Sequence, residues 1–438
     1  MTILSVILLA AFAGSCFLLI VDGFRRRTGI LELPFLAGGA MAGYLLPQAI
    51  GVARNVGMAP QAGIYKALIM CTLCTLATYF GWHWHAPDKW LQPSTRRYSN
   101  GGLYALGIVL LAIGLVGYLK LSALSGGIAA HYSKQGSYAL TWSGLPVVYY
   151  FFSMYLMPAM VLCSLVAIKS KSIVGLIAPG IVVAIQLATL IFLGRRTDAV
   201  ALFLSVACIL YFSRGWLPPR LLVYALIPVG AAALYLAPVY RAHSEIGNDP
   251  NAINDIDSAT TVHSVLTGTR GEFWTACYLI QITDDNFLYQ YGIGFYNTFI
   301  NYYIPKMIVG PDVKAALLIP IPVADHIAND YAWEIPLGMV PTGPGSVYQQ
   351  FWFFGAVLYF YLARFLKYLW TRSTVGKDLL SQATYALAAT AALASIVNDF
   401  YAIYITLFMF WLPLLLFSRI GLISGQTPVA QPIGLARL

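Results

Sequence analysis

Apolar segments of about 20 residues recur along this sequence, and no other feature constrains its fold as strongly, because a helix of that length crosses the hydrocarbon core of a bilayer. Of the 438 residues, 59% are hydrophobic and 10% are charged, and the mean hydropathy is +0.72. Inside a bilayer the backbone must satisfy its own hydrogen bonds, which favours helices. We predict an all-α polytopic membrane protein. Its transmembrane helices, about 11 in number, are expected at 3–22, 30–49, 65–84, 102–121, 145–168, 174–193, 197–212, 221–238, 346–363, 379–398 and 400–418.

One long interruption separates these spans. Between 239 and 345 the sequence is polar, aromatic and rich in proline and glycine. We therefore predict three parts, with transmembrane helices 1–8 in 1–238, a large external loop region in 239–345, and transmembrane helices 9–11 with a short cytoplasmic tail in 346–438. Two apolar-aromatic stretches of the loop region, 269–285 and 294–305, are too short to span. We expect them to form amphipathic helices at the membrane interface, with the aromatic face toward lipid and the polar face toward a cavity.

The basic residues are concentrated in alternate loops, and this pattern predicts the orientation. Short cytoplasmic loops carry an excess of lysine and arginine. The predicted cytoplasmic set is Arg25, Arg26, Arg27, Lys89, Arg96, Arg97, Lys169, Lys171, Arg214, Arg220, Arg364, Lys367, Arg372, Lys377, Arg419 and Arg437. The N-terminus and the long loop region are then external, and the C-terminus is cytoplasmic. Because these loops explain the net charge of +9, we do not expect nucleic acid as a partner.

Several kinds of site are disfavoured by what the sequence lacks. The external histidines are His131, His243, His263 and His326. None has metal-ligand spacing with another, and no Walker A or dinucleotide-binding glycine motif precedes a soluble helix. We therefore expect neither a metal nor another cofactor. Ion-coupled transport usually needs acidic groups within the spans, and apart from Asp198, Asp399 and two acids at span ends there are almost none, which disfavours a transporter.

Four arginines lie on the predicted external side, against the pattern of the other loops. They are Arg195, Arg196, Arg241 and Arg270. Guanidinium binds phosphate through two parallel hydrogen bonds and stays charged when partly buried, so these side chains are candidates for holding an anionic lipid-linked group. The alternative is snorkelling at the interface with an ion pair to Asp198, which we favour for Arg195. Arg270 and Glu272 bracket a turn into a helix, either as a pair near substrate or as a structural salt bridge.

Three segments resemble parts of the bacterial Wzy-type polysaccharide polymerases. GRRTDAVALFLSVACILYFSRGWLP at 194–218 resembles the helix that follows their outer-turn arginine and ends in a cytoplasmic Arg-Gly-Trp-like corner. FINYYIPKMIVGP at 299–311 resembles their external aromatic–Ile–Pro segment, and VPTGPGSVYQQFWFFGAVLYF at 340–360 resembles the stretch that enters their next span. The order and spacing of these pieces match the family across about 190–365, while the N-terminal half matches as spans.

The resemblance implies a GT-C-like integral membrane glycosyltransferase that needs no metal or other cofactor. Such an enzyme is expected to join undecaprenyl-diphosphate-linked oligosaccharide repeat units into a surface polysaccharide at the outer face of the bacterial cytoplasmic membrane. The product would be the O-antigen of lipopolysaccharide, an enterobacterial-common-antigen-like glycan or an exopolysaccharide. The expected partners are the lipid-linked oligosaccharide and membrane lipid, with a chain-length regulator and a flippase as further candidates.

The resemblance also implies roles for individual residues. Arg196 matches the outer-turn arginine best, Arg241 matches the basic residue after the next outward span, and Arg270 is a looser match. The catalytic candidates are Arg196, Arg241, Arg270, Glu272 and His263. The candidates for binding diphosphate or glycan are Arg195, Tyr303, Lys306 and His326. The general base stays open among Glu272, His263 and His326. An O-antigen ligase-like transferase, for which His263 would be the prominent histidine, is the alternative function, followed by a transporter.

Overall fold

The computed structural model describes residues 1–55, 57, 59–85, 98–133, 145–193, 196–219, 271–304, 306–321 and 340–419. Within them the secondary structure is helical, with no β-strand. The helices are α1 Ile3–Arg25, α2 Leu33–Arg54, α3 Gln61–His83, α4 Asn100–Leu124, α5 Ile128–Ser133, α6 Leu145–Ser153, α7 Leu156–Lys169, α8 Ile177–Leu193, α9 Arg196–Arg214, α10 Glu272–Asp285, α11 Ile293–Tyr303, α12 Lys306–Val309, α13 Pro311–Leu317, α14 Gly343–Phe351, α15 Ala356–Thr374, α16 Leu379–Val397 and α17 Ala402–Arg419.

Eight of the described helical segments are long and apolar enough to cross a membrane, and they confirm the polytopic all-α class. They are Ile3–Arg25, Leu33–Arg54, Gln61–His83, Asn100–Leu124, Val147–Lys169, Val174–Phe192, Thr197–Arg214 and Leu379–Val397. Each overlaps one predicted span. The predicted span at 400–418 corresponds to a shorter apolar stretch, Ala402–Leu414, and the one at 221–238 lies outside the described residues. The GT-C-like architecture and the total of about 11 stay predictions.

Two helices form the centre of the packing. The helix α3 contacts α1, α2, α10, α14 and α15, and α16 contacts α7, α9, α15 and α17. Every residue of α16 from 381 to 392 is buried. This helix is rich in alanine and small polar residues, which let neighbouring backbones approach closely, as small residues do at helix interfaces in membranes.

The predicted span at 346–363 is wrong, because the structure divides it. The helix α14 ends at Phe351, a short 3₁₀ turn covers Trp352–Gly355, and α15 then continues to Thr374. Trp352 has a φ of 54°, which is incompatible with a continuous right-handed helix. A side chain at Gly355 would place its Cβ 2.2 Å from the Val347 carbonyl oxygen, so the return of the chain onto α14 requires glycine there.

The expectation that the aromatic face of 269–285 is directed at lipid is also wrong. The helix α10 packs against α2, α3 and α14, and Phe273, Cys277 and Ile280 are fully buried. A Cβ on Gly63 would lie 2.3 Å from the Cys277 carbonyl oxygen, so α3 and α10 are in direct backbone contact. The apolar pattern of such a helix is the same whether it faces lipid or protein, and here it faces protein.

The second predicted amphipathic helix forms and rests against the C-terminal part of the chain. It is α11, whose aromatic side chains form ring pairs with α17 and with the turn before it. Phe295 lies 5.7 Å from Tyr404 and 6.2 Å from Phe400, measured between ring centroids. Phe299 lies 5.7 Å from Phe408. Part of the aromatic face is therefore directed at protein rather than at lipid.

Two basic residues mark one end of the helix bundle, and the turn after α16 lies at the other end. The basic residues are held by partners on other helices, since Lys367 donates to the Trp84 carbonyl at 2.9 Å and Lys169 donates to Gln382 at 2.7 Å. Gln382 lies at the start of α16. The turn that follows α16, from Asn398 to Tyr401, is therefore at the opposite end of the bundle.

Candidate functional site

Two adjoining cavities meet at the turn between α16 and α17. The first has a volume of about 340 Å³ and the second of about 360 Å³. Asp399 and Tyr401 line both of them. The described residues around the first cavity also include Gln290, Thr298, Ser346, Gln349 and Gln350. Those around the second include Tyr150, Met154, Tyr302, Asn398, Ile405 and Thr406.

Asp399 is a carboxyl held in this turn, outside the helices on either side. Its Oδ1 accepts a hydrogen bond from the Ser346 hydroxyl at 2.5 Å. Burial raises the pKa of Asp399 to about 7, although the Ser346 hydrogen bond opposes that rise. A carboxyl that titrates near neutral pH can take up a proton from a reacting hydroxyl, which is the task of a general base.

The Pro-Thr-Gly-Pro-Gly-Ser segment explains how Ser346 reaches Asp399. Thr342 is the N-cap of α14 and its hydroxyl accepts from the Gly345 amide at 3.2 Å, which is the usual way to begin a helix. A Cβ on Gly343 would lie 1.9 Å from the Ser395 carbonyl oxygen, so the first turn of α14 is pressed against the end of α16. Asp399 follows Ser395 by four residues, so this contact brings Ser346 directly beside Asp399.

Three glutamines form a wall of the first cavity. The side-chain Oε1 of Gln350 accepts from the Gly292 and Gly294 amides at 3.1 and 3.2 Å, and its Nε2 donates to the side-chain oxygen of Gln290 at 2.5 Å. Gln350 is thereby committed to holding the turn before α11. Gln349 is only 7% exposed, and its side-chain amide has no hydrogen-bond partner within the described part of the chain.

Tyrosines dominate the second cavity. The rings of Tyr302 and Tyr401 lie 6.0 Å apart, measured between centroids. The Tyr150 hydroxyl interacts electrostatically with Asp198 and with Tyr302. Asp198 belongs to the first turn of α9, the turn that begins with Arg196. The second cavity, which Tyr150 lines, is therefore within electrostatic range of the first turn of α9, the turn that begins with Arg196.

Five of the residues predicted for the site lie outside the described residues. They are Arg195, Arg241, His263, Arg270 and His326. Arg196 is the first residue of α9, and its side chain lies outside the described part. The structure therefore describes the position of Arg196 in the chain as the start of α9, whereas the roles assigned to all six residues stay predictions.

Three further predicted residues are described, and none of them lines either cavity. Glu272 begins α10 and its carboxylate accepts from Gln48 at 3.2 Å. The Tyr303 hydroxyl donates to the Ile405 carbonyl at 3.0 Å, which attaches α11 to α17. Both contacts join helices, and the roles predicted for Glu272 and Tyr303 stay predictions.

Lys306 is the third of these residues. It is exposed at the start of α12 and has a basic neighbour in Lys314, whose pKa is lowered by burial first and by the charge of Lys306 second. Lys314 also donates to the Asn301 carbonyl at 2.9 Å. The pair concentrates positive charge on the α12–α13 segment, a place where an anionic headgroup could bind.

An ion-paired network connects α3 to α10 and α14, two helices that line the first cavity. Lys66 forms a salt bridge with Asp284 at the end of α10, and the hydroxyls of Tyr289 and Tyr348 donate to the same carboxylate. Burial alone would raise the pKa of Asp284, but the hydrogen bonds from Lys66 and Tyr289 overcome it and hold that pKa below its usual range. The network joins α3, α10 and α14, the last of which carries Ser346.

Reasoning from sequence missed Asp399 and Gln349. In the sequence Asp399 stands out only as an exception in nearly acid-free spans, although an isolated acid at the end of an apolar segment is itself a signal of function. The signal for Gln349 was a pair of consecutive amides in an otherwise apolar and aromatic stretch. Neither signal reveals which residues come together, since Asp399 and its partner Ser346 are 53 positions apart.

The arrangement combines a proton acceptor with two binding surfaces of different character. One cavity offers amides and hydroxyls, the other offers tyrosines and apolar side chains. Among the described residues, no group of three or more His, Cys, Asp or Glu side chains is placed to hold a metal ion. No protein-family model matches the chain, and no curated protein or solved structure shows significant similarity to it.

Proposed function

We propose that this protein is a glycosyltransferase of the Wzy polymerase kind. It joins undecaprenyl-diphosphate-linked oligosaccharide repeat units into a surface polysaccharide at the outer face of the bacterial cytoplasmic membrane. The observation that carries the proposal is the position of the Asp399 carboxyl. It lies where two cavities meet, and the lining of one of them includes Tyr150, which is within electrostatic range of Asp198 in the turn that begins with Arg196.

The charge distribution supports an outward-facing site. Lys169 and Lys367 lie at the end of the bundle opposite the Asn398–Tyr401 turn, and basic residues prefer the cytoplasmic side. An external active site has no supply of nucleotide sugars, so the donor must arrive already activated on a lipid. A lipid-linked diphosphate meets this requirement because diphosphate is a good leaving group.

The reaction uses the two cavities together. A hydroxyl of the acceptor sugar attacks the anomeric carbon of the donor glycan, and the bond from that carbon to the diphosphate oxygen breaks. The hydroxyl proton passes to Asp399, and the electron pair of the broken bond stays on the lipid diphosphate. Arg196 stabilises this developing negative charge, with Arg241 and Arg270 as further cations, because preorganised donors act most strongly where charge develops.

The test is the surface glycan of a strain that lacks the gene. Deletion should leave single repeat units on the lipid anchor, and the wild-type gene should restore long chains. Asp399→Asn, which keeps the shape of the side chain but cannot accept the proton, should fail to restore them. Asp312→Asn, a change at an exposed aspartate of α13, is the matched control and should restore them fully.

Two outcomes would contradict the proposal. Unchanged glycan in the deletion strain would exclude any role in chain assembly. Full-length chains that accumulate on the carrier would instead assign the protein to the transfer of finished glycan, the activity of an O-antigen ligase. Protein level in the membrane is measured for every variant, so that loss of chains is not confused with loss of protein.

A further inference from the structure

We infer that the first cavity is the acceptor subsite and takes an uncharged sugar residue, with the Gln349 amide as the group that hydrogen-bonds to it. This inference rests on the proposed function and adds to it the half of the site in which the acceptor binds and the chemical class of the acceptor. Three observations carry it, namely the state of Gln349, the charge of the lining, and the position of Gln349 relative to Asp399.

The first observation is the unused hydrogen-bonding capacity of Gln349. Its side chain is more than nine-tenths buried and lines the cavity, and the amide has no partner among the residues that the structure describes. The amide atoms are not among the fully buried side-chain atoms that lack a partner, so they are accessible from the cavity that Gln349 lines. A ligand that offers both a donor and an acceptor, as a sugar hydroxyl does, would satisfy it.

The side chain of the neighbouring Gln350, in contrast to that of Gln349, is engaged in hydrogen bonds within the protein. Gln350 has its oxygen and nitrogen engaged by Gly292, Gly294 and Gln290. The two consecutive amides therefore have different tasks, because one holds the turn before α11 and the other faces the cavity. Gln349 is the glutamine left available for a ligand.

The second observation is the charge of the lining. The described residues around the first cavity include no lysine, arginine or histidine, and Asp399 is the one acid among them. A carboxylate-bearing sugar would meet Asp399 without a compensating cation, which is unfavourable in a poorly solvated site. Amides, the hydroxyls of Thr298 and Ser346, and the rings of Phe295 and Tyr401 instead suit the hydroxyls and apolar faces of a neutral sugar.

The third observation is the spacing along α14. Gln349 follows Ser346 by three residues, so both side chains lie on one face of the helix. The Ser346 hydroxyl donates a hydrogen bond to the Asp399 carboxylate. A sugar held by the Gln349 amide is therefore beside the carboxyl that accepts the proton, and a neighbouring hydroxyl of the same ring can face Asp399.

The test measures binding rather than activity. Purified full-length protein is applied to an array of oligosaccharides, one set neutral and one set containing uronic acids. The wild type should bind members of the neutral set. Gln349→Met, which keeps the length and volume of the side chain but removes the amide, should weaken that binding at least tenfold. Gln61→Ala, at an amide on the same end of the bundle that donates to Ser5, is the control and should bind as the wild type does.

A measurement on the wild type guards against a variant that fails to fold. Hydrogen–deuterium exchange is followed with and without the best-bound neutral oligosaccharide, and protection should appear in the segment 343–351. The inference is overturned by binding restricted to uronic-acid glycans, by equal binding in Gln349→Met and the wild type, or by protection confined to other segments. Absence of any wild-type binding overturns it as well.

The two proposals can fail separately. If deletion of the gene leaves the surface glycan unchanged while Gln349-dependent binding of neutral sugars is observed, the polymerase assignment fails and a sugar site remains. If chain extension requires the protein but Gln349→Met neither binds less nor extends less, the polymerase assignment stands and the acceptor subsite lies elsewhere.

Discussion

Replacement of Ser346 by alanine tests the role of Asp399 most directly. The Ser346 hydroxyl donates to the Asp399 carboxylate and opposes the rise that burial imposes on the pKa of Asp399, which is about 7. A hydrogen bond to a charged group contributes about 1.5–3 kcal/mol. Because one pKa unit corresponds to about 1.4 kcal/mol, Ser346→Ala should raise the pKa of Asp399 by about one to two units.

The direction of the pH dependence follows from the protonation state in which Asp399 is active. A general base works when it is deprotonated, so chain extension should increase with pH through the pKa of Asp399. In the wild type about half of the carboxyl is ionised at pH 7. A rise of one unit leaves about a tenth ionised, so the variant should be about fivefold slower at pH 7 and should recover toward pH 9.

The assay is chain extension by the full-length protein in proteoliposomes, with lipid-linked repeat units as substrate and kcat/KM recorded from pH 5 to pH 9.5. Ser15→Ala is the control, because Ser15 is a buried serine whose hydroxyl donates only within its own helix, to the Phe12 carbonyl at 2.8 Å. A wild-type profile without an acid limb near pH 7 would refute the reasoning. So would an acid limb that Ser346→Ala leaves in place.

Three further predictions address the donor side, the packing and the supporting network. Arg196→Ala should abolish chain extension at a normal protein level and Arg196→Lys should restore part of it, since lysine keeps the charge but loses the planar fork; near-wild-type chains in the alanine variant on a glycan gel would disprove the role. Gly343→Ala should lower the free energy of unfolding by about 1–3 kcal/mol, and with it the thermal unfolding midpoint, because the new Cβ would lie 1.9 Å from the Ser395 carbonyl oxygen. An unchanged midpoint would show that α14 is not pressed against α16. The folded-state pKa of Asp284 is depressed, mainly through Lys66 once burial is overcome, so its contribution to stability is present above the unfolded pKa of about 3.9 and is lost as pH falls through the folded value. Lys66→Met should therefore lower the midpoint at pH 7 more than at pH 3, and an equal loss at both pH values would argue against the ion pair.

The membrane spans could be predicted because their cause is local. A lipid-embedded helix satisfies its backbone within itself and needs only a sufficient run of apolar side chains. Every apolar run of this kind up to 212, and the run at 379–398, has a counterpart among the described spans. Packing between helices contributes little to this pattern, so a single sequence is enough to detect it.

The broken helix at 343–374 could not be predicted in the same way. Its apolar content is that of a span, and the division depends on the φ of 54° at Trp352 and on the approach of Gly355 to Val347. The burial of α10 has the same origin. Hydrophobicity reports that a face avoids water, and both lipid and protein fulfil that condition.

The arginines beside the long interruption were evident from charge alone, because each loop can be compared with the others along the chain. The proton acceptor could not be predicted from charge. Asp399 becomes a candidate base only because Ser346, far away in sequence, lies against it and burial raises its pKa. Gln349 differs from Gln350 only in what surrounds it. Apolar length and charge pattern are properties of segments and can be read from the residues in order. A cavity and the polar groups that line it arise from contacts between segments, and these contacts exist only once the helices pack.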